Sequence, residues 1–401
     1  MQKSLPVLKE EQQYPIILDS ENGIRDNFTD ALMLNTAAFD ADGSLRSALS
    51  GTRGIPKDIE FETQIQCLEM VLSGEFELQT NDYFRYWHGY LVFLKPLLFL
   101  GLDLYAIRIL QGIFAIALVL ANVFLMHKRN ASLLIPPFLA MLICTMSFIG
   151  PLSLQYSNVL NVTLIANASV IALAPQLQKT QWLVCVLTII GAATSYFDLL
   201  TYPIMALGVP LISWLFVSRS RPLRKLLYLS SIAILFWASG YACMWASKWF
   251  LVSLFVTPNA VEISFSQIQF RTSMSQEHGG DSFTISELVG NLARHIISPY
   301  FIIPICLVAT PLSIDAIRRV LKGDTSVSAV TIISTIVLLV PIAWLLVLSN
   351  HTFVHHWMTY KNLGVSVYAF LAGLASLAYC TPNSDALIHF VPETRCSKRS
   401  Q

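Results

Sequence analysis

The chain has 401 residues, of which 54% are hydrophobic and only 13% charged, against roughly 25% charged in ordinary soluble domains. A soluble core of this size does not absorb so much apolar surface, so most of the chain is expected in lipid. The formal net charge of +1 lacks the basic footprint of a nucleic-acid binder, and no nucleic-acid partner is expected.

Residues 1–86 read as a polar, partly folded segment. Residues 1–18 carry Pro6, Lys9, Glu10 and Glu11 and lack the apolar centre of a signal peptide. The segment's most informative stretch is Arg25-Asp26-Asn27-Phe28-Thr29-Asp30, directly before Ala31-Leu32-Met33-Leu34. Asp26 or Asn27 would cap a short helix, placing Asp30 in its first turns. Two carboxylates so close tend to raise one pKa, which suits a general base or a cation site; the alternative is a helix start with a solvated acid. Residues 59–72 then read as an amphipathic helix. The aromatic cluster Tyr83-Phe84-Arg85-Tyr86-Trp87-His88-Gly89-Tyr90 fits a membrane–water interface. The run 91–102, interrupted by Lys95-Pro96, is too short to span and fits an interfacial helix.

Nine spanning candidates follow, at 105–126, 133–148, 159–173, 182–196, 204–217, 226–256, 300–314, 327–348 and 365–379. The expected fold is all-α: a polytopic helix bundle over residues 104–380 with an outer loop at 257–297, preceded by an extracytoplasmic segment 1–103 with interfacial helices and followed by a cytoplasmic tail, 381–401. Lys128/Arg129, Lys179, the Arg219 to Lys225 cluster, Arg318/Arg319/Lys322 and the tail basics fall on alternate sides of successive spans, so all land on one face. By the positive-inside rule that face is cytoplasmic. The expected location is the plasma membrane, multi-pass, with the N-terminal segment outside and the C-terminus inside.

The outer face would then collect Asp26, Asp30, His88, Lys95, Arg108, Asp198, Arg294, His351, His355 and His356, with Glu262, Arg271, Glu277, His278 and His295. His351 and His355 stand at metal-ligand spacing on a helix, but no carboxylate is near in sequence, and an interfacial aromatic belt is the alternative. Glu277-His278-Gly279-Gly280-Asp281 reads as a loop tip. Arg108, within the first turn or so of a spanning helix, must snorkel or pair, and a lipid phosphate is a natural partner. Asp198, at the end of an apolar helix, faces either a cavity or a partner. Cys144, Cys185, Cys243 and Cys306 fall in apolar runs and Cys67 in the polar segment, which is neither a disulfide framework nor a zinc spacing.

This layout resembles the GT-C class of integral-membrane glycosyltransferases. Asp26 and Asp30 match that class's acidic outer loop by position and type. His88-Gly89-Tyr90 and Arg108 resemble the His-Pro-Pro-Leu and later arginine features of its protein-mannosyltransferase-like branch. Asp26 to Asp30, Arg85 to Tyr90, Tyr196 to Leu200 and Asn350 to His355 are also similar to stretches of multi-span proteins of Gram-positive bacteria that share this plan. The resemblance implies transfer of a sugar from a polyprenyl-phosphate lipid to an envelope glycan or protein acceptor, in the membrane. It implies Asp26 as base with Asp30 second, Arg108, Lys95 or Arg294 on the phosphate, and His88 or His351 orienting sugar or phosphate. His355 and Asp198 are further candidates for lining the site. No Asp-x-Asp stands near Gln155-Tyr156-Ser157, so no metal or other cofactor is expected. The class plan also places one further apolar helix ahead of Met1, which would carry residues 1–86 across. A lipid or solute transporter and a non-catalytic envelope protein are the other readings; nearly charge-free apolar runs weaken the first.

Overall fold

The computed structural model describes residues 1–39, 43–275, 282–324, 326–379 and 387–388. The tail beyond Leu387–Ile388 and the Glu277/His278 tip lie outside the described residues. The described residues are 74% helical with almost no strand, an all-α helical bundle. The N-terminal part comprises α1 (Leu5–Glu11), α2 (Asn27–Ala38), α3 (Ser44–Ser50), β1 (Arg53–Pro56), α4 (Gln64–Ser73), β2 (Leu78–Asn81) and α5 (Leu91–Phe99). There follow α6 (Leu104–Lys128), α7 (Ile135–Cys144), α8 (Leu154–Ala172), α9 (Thr180–Phe197), α10 (Met205–Val217) and α11 (Leu223–Phe255). Then come α12 (Ala260–Arg271), α13 (Ile285–Ile297), α14 (Pro299–Leu321), β3 (Val327–Ser328), α15 (Ala329–Val337) and α16 (Val340–Val347). The described part closes with α17 (Ser349–Val354), α18 (His356–Thr359), α19 (Gly364–Ala378) and β4 (Leu387–Ile388).

Among the described residues six helical stretches are long and apolar enough to cross a membrane: Leu104–Lys128, Thr180–Phe197, Leu223–Phe255, Pro299–Leu321, Ala329–Val347 and His356–Ala378. This is the architecture of a multi-pass membrane protein. The other three expected runs are also helical. α7 and α10 are short, and α8 is diluted by Asn158, Asn161 and Asn167. α10 is buried over nearly its whole length, which is how an apolar helix without a lipid-facing side reads. The run expected at 327–348 is broken between α15 and α16, where Pro341 cannot donate to the preceding turn.

Packing follows membrane rules, in which close backbone approach and buried amides replace a hydrophobic drive between helices. α9 and α11 meet at two glycines. A Cβ on Gly191 would lie 2.0 Å from the Trp237 carbonyl oxygen, and one on Gly240 2.2 Å from that of Thr188. Between α6 and α8, Asn122 donates to the Leu164 carbonyl at 2.9 Å and accepts from Asn167 at 2.8 Å.

The N-terminal part folds as a cap on one end of the bundle. Leu8, Ala31, Met33, Leu34, Ile65 and Leu68 share one apolar cluster with Tyr90, Leu94, Leu104 and Ile107. The Asn35 side chain holds α2 to β1, donating to the Gly54 carbonyl (2.9 Å) and accepting from its amide (3.1 Å). β1 and β2 pair antiparallel, Arg53 opposite Asn81. At the bundle's other end Arg129 donates to the Ala172 carbonyl, Arg219 to that of Asn130, and Gln178 to Ser218. The basic loops after α6, α8 and α10 therefore gather at the end opposite the cap.

Candidate functional site

The hexapeptide behaves as a helix start. Asp26 is the N-cap of α2 and its Oδ1 accepts the Thr29 amide (2.9 Å), while Oδ2 accepts the Thr29 hydroxyl (2.7 Å). Its carboxyl is 5% exposed. Burial pushes its pKa up to about 6, the Thr29 bonds pull the other way, and nearby Asp30 adds a smaller upward push. Asp26 borders a cavity of ≈ 410 Å³ between the cap and the bundle. Facing that cavity are three guanidinium groups, Arg53, Arg85 and Arg271, the amide of Gln155, His355, and the rings of Tyr14, Phe28, Tyr83, Tyr86 and Trp357.

Several of these groups have spare bonding capacity. Arg53 sits 5.5 Å from the Tyr83 ring centre, and its Nε and Nη1 are buried without a hydrogen-bond partner. Burial depresses its pKa. Gln155, 4% exposed, leaves Oε1 without a partner. Arg85 donates to Gln267 and stacks 5.1 Å from the Tyr83 ring centre. Arg85, Tyr86 and Arg271 also line a second, apolar cavity of ≈ 140 Å³ walled by Tyr241, Trp245, Trp249 and Trp344. A polar chamber and an aromatic groove thus share a wall that contains two arginines.

Asp30 stands elsewhere. It is fully buried, with Oδ2 3.1 Å from Arg108 Nη2 and Oδ1 accepting the Leu154 amide (2.8 Å) and the Ser153 hydroxyl (3.1 Å) at the start of α8. Burial pushes its carboxyl up, and Arg108 with the two α8 donors pulls it down. Arg108 also pairs with Glu11 at 2.8 Å and donates to Asn27 at 2.9 Å, and Glu11 in turn pairs with Arg25 at 3.0 Å. Carboxylates on α1 and α2 thus occupy both terminal nitrogens of Arg108, the residue expected on the phosphate. The oxygens of Asp30, expected as the second base, are likewise held by three donors outside the cavity lining.

His88 is buried. Its Nε2–H donates to the Tyr83 carbonyl at 2.7 Å, leaving Nδ1 to accept from the Tyr90 hydroxyl at 3.1 Å. Burial first and Lys248 second hold its pKa near 3. It does not line the cavity. Lys95 is exposed on α5, and Arg294 is exposed on α13, 3.9 Å from Glu21; neither borders the cavity. His351 Nε2–H donates to the Leu200 carbonyl at 2.6 Å, so its Nδ1 lone pair is left buried without a partner. Asp198 is 1% exposed and accepts the Thr201 amide at 2.8 Å, with Oδ2 lacking a partner. Burial raises its pKa to about 7. Neither Asp198 nor His351 borders the cavity, but Leu199, next to Asp198 in the chain, does. His355 does line it, and burial holds its pKa near 3.

Of the expected residues the structure thus brings Asp26, Arg271 and His355 into one chamber. Arg53, Arg85 and Gln155 are additions whose sequence signal is weak, apart from the arginine placed inside the aromatic cluster 83–90. Lys248 and Lys361 are buried cations of the bundle. Lys248 donates to the Ala48 carbonyl (3.3 Å) 4.7 Å from the Trp87 ring centre, and Lys361 to the Thr145 carbonyl (2.7 Å). What fold and site define together is a multi-pass α-helical membrane protein with a polar, arginine-lined chamber under an N-terminal cap. No protein-family model, curated protein or solved structure matches the chain.

Proposed function

We propose that this protein is a membrane glycosyltransferase that moves a sugar from a polyprenyl-phosphate donor to an envelope acceptor, with the capped end of the bundle at the outer face of the plasma membrane. The observation that carries this reading is the pairing of one acid of raised pKa, Asp26, with an arginine-lined chamber that abuts an aromatic groove. A lipid-linked sugar phosphate has the same three parts in the same order: a polar sugar, an anionic link and an apolar chain. Arg85 and Arg271, on the shared wall, would hold the phosphate, with the chain against Trp245, Trp249 and Trp344 and the sugar towards Asp26.

In the reaction the Asp26 carboxylate takes the proton of the acceptor hydroxyl, and that oxygen forms a bond to the anomeric carbon. The bond from that carbon to the phosphate oxygen breaks, and the lipid phosphate leaves with the electron pair, stabilised by the guanidinium groups. One base suffices, and the anomeric centre inverts. The chemistry asks for no metal.

The test is transfer of labelled sugar from a panel of polyprenyl-phosphate monosaccharides by the purified chain in liposomes. Activity in the wild type with loss in Asp26→Asn supports the reading, and full activity in Asp26→Asn removes it. A transporter reading draws on Lys248 and Lys361, because buried cations in spanning helices often line pathways. Both are tied to backbone carbonyls of neighbouring segments, which favours an anchoring role, and flux measured in the same liposomes separates the two.

A further inference from the structure

Away from the chamber, three segments distant in sequence bring nitrogen and oxygen ligands together at the rim of the cap. They are the turn Glu21–Gly23, the end of α13 and the start of α18. One ligand atom each from Glu21, His295 and His356 lies within 4.8 Å of the other two. We propose that Glu21, His295 and His356 form a binding site for a zinc-type divalent ion, which clips the N-terminal cap to the bundle.

The tautomer of His295 is settled by its surroundings. Asn22 donates through Nδ2 to the His295 carbonyl at 3.0 Å, so its Oδ1 is the atom that faces His295 Nδ1 at 2.6 Å. Nδ1 therefore carries the proton and Nε2 presents a lone pair. An oriented partner on the far nitrogen is the arrangement that metal-bound histidines require. Tyr360 stacks on the His295 ring, centres 4.5 Å apart and 7° between planes, and its hydroxyl donates to the Asn22 carbonyl at 3.0 Å. The ring of His295, 0% exposed, is thus fixed in position and in tautomer before any ion arrives.

His356 Nδ1 points at that lone pair from 2.8 Å. In the ion-free state Nδ1–H of His356 donates to His295 Nε2. With an ion bound, His356 moves its proton to Nε2 and turns the Nδ1 lone pair inward, with no net proton released from two neutral rings. Two nitrogens about 2.0–2.1 Å from a tetrahedral zinc stand somewhat further apart than the present contact, a small opening for a half-buried ring. Glu21 supplies the carboxylate, and a water completes the shell. Two imidazoles and one carboxylate favour zinc and its late first-row neighbours over magnesium or calcium, which prefer all-oxygen sites. Arg294, 3.9 Å from Glu21 and exposed, is the cation to be displaced, and an exposed pair at that distance is weak. Lys361, the other nearby cation, is tied to the Thr145 carbonyl.

The site is independent of the sugar-transfer reading, and either stands if the other fails. The full chain, purified in detergent without a histidine tag and stripped with chelator, is titrated with zinc chloride. Metal content and unfolding temperature are read together. The expected result is about one zinc per chain and a raised unfolding temperature, with no response to magnesium. Glu21→Gln, at an exposed side chain, should weaken zinc affinity at least tenfold, His356→Ala should abolish the response, and His127→Ala at the opposite end should leave it unchanged. Should His356→Ala not fold, Glu21→Gln alone decides. Zinc content well below one per chain, or wild-type affinity in either site variant, overturns the proposal and leaves a hydrogen-bonded histidine pair.

Discussion

Arg108 and Asp30, 78 positions apart, meet in a buried ion pair, Nη2 to Oδ2 at 3.1 Å, with the two side chains 5% and 0% exposed. The pair joins the N-terminal end of α6 to the first turn of α2, and Asp30 simultaneously receives the start of α8. An acid that accepts the first amide of a helix also meets the positive end of its dipole. This one contact fastens the cap to two helices of the bundle.

Removal of Arg108 leaves the buried Asp30 without its counter-ion, which costs about 3–5 kcal/mol, whereas removal of Asp30 leaves Arg108 paired with Glu11 and costs less. Asp30→Ala and Arg108→Ala should therefore both lower the unfolding temperature in detergent, and the double variant should lose less than the sum of the two. Thermal unfolding of the three variants checks this. A fully stable Arg108→Ala protein with weakened donor binding would restore Arg108 to the phosphate.

The rate of sugar transfer should depend on Asp26 being ionised. With its pKa raised to about 6, activity should fall as pH drops through about 6, and Asp26→Asn should lower it by at least roughly two orders of magnitude at pH 7.5. Initial rates between pH 5 and 8 give the profile.

The same shift has a consequence for stability, with the opposite sign from a salt-bridged acid. The folded-state pKa lies above the unfolded value, so between about pH 4 and 6 the folded state binds more protons, and stability falls as pH rises through that window. Above it, the buried charge costs up to about 3 kcal/mol, from two pH units at 1.36 kcal/mol each. Asp26→Asn, which keeps a capping oxygen, should then be more stable than wild type at pH 8 and equal to it at pH 4. Denaturation of both proteins at the two pH values measures the difference.

Donor affinity should follow the arginines of the shared wall. Arg85→Ala and Arg271→Ala should each weaken binding of a polyprenyl phosphate by about tenfold or more, the loss of one charge-assisted contact. Lys95→Ala should leave binding unchanged, because Lys95 does not border the chamber. Fluorescence titration of liposome-embedded protein with a labelled lipid phosphate distinguishes these outcomes.

At the α9–α11 crossing, Gly240→Ala places a methyl group 2.2 Å from the Thr188 carbonyl oxygen, so the two helices must part. A loss of about 1–3 kcal/mol is expected, the scale of overpacking. Gly290→Ala, whose added methyl meets nothing within 4 Å, is the control. Unfolding curves that are equal for the two would show that the crossing is looser than drawn.

Much of the architecture was legible because it rests on local chemistry. Long apolar runs, Asp26 ahead of an apolar stretch, and basic residues at alternate turns report lipid contact, a helix cap and a common face without reference to any partner. The short helix α5 followed from the length of its apolar run and α4 from its periodicity, to within a few residues. The division of the 327–348 run into α15 and α16, by contrast, was not legible in the sequence, which reads as one span across Pro341.

What the sequence by itself determined, then, was the membrane bundle, the gathering of the basic loops at one end and the presence of a candidate acid in the cap. Only the tertiary structure decided which charges are used up and which remain open. Asp26 and Asp30 are near-equivalents in sequence, yet one faces a chamber and the other is bound by α6 and α8. His356 is adjacent to His355, yet it turns towards His295 and Glu21 rather than into the chamber. The physical reason is that a buried charge or imidazole is defined by its nearest opposite charge, donor or lone pair, and here those partners lie 61 or more positions away.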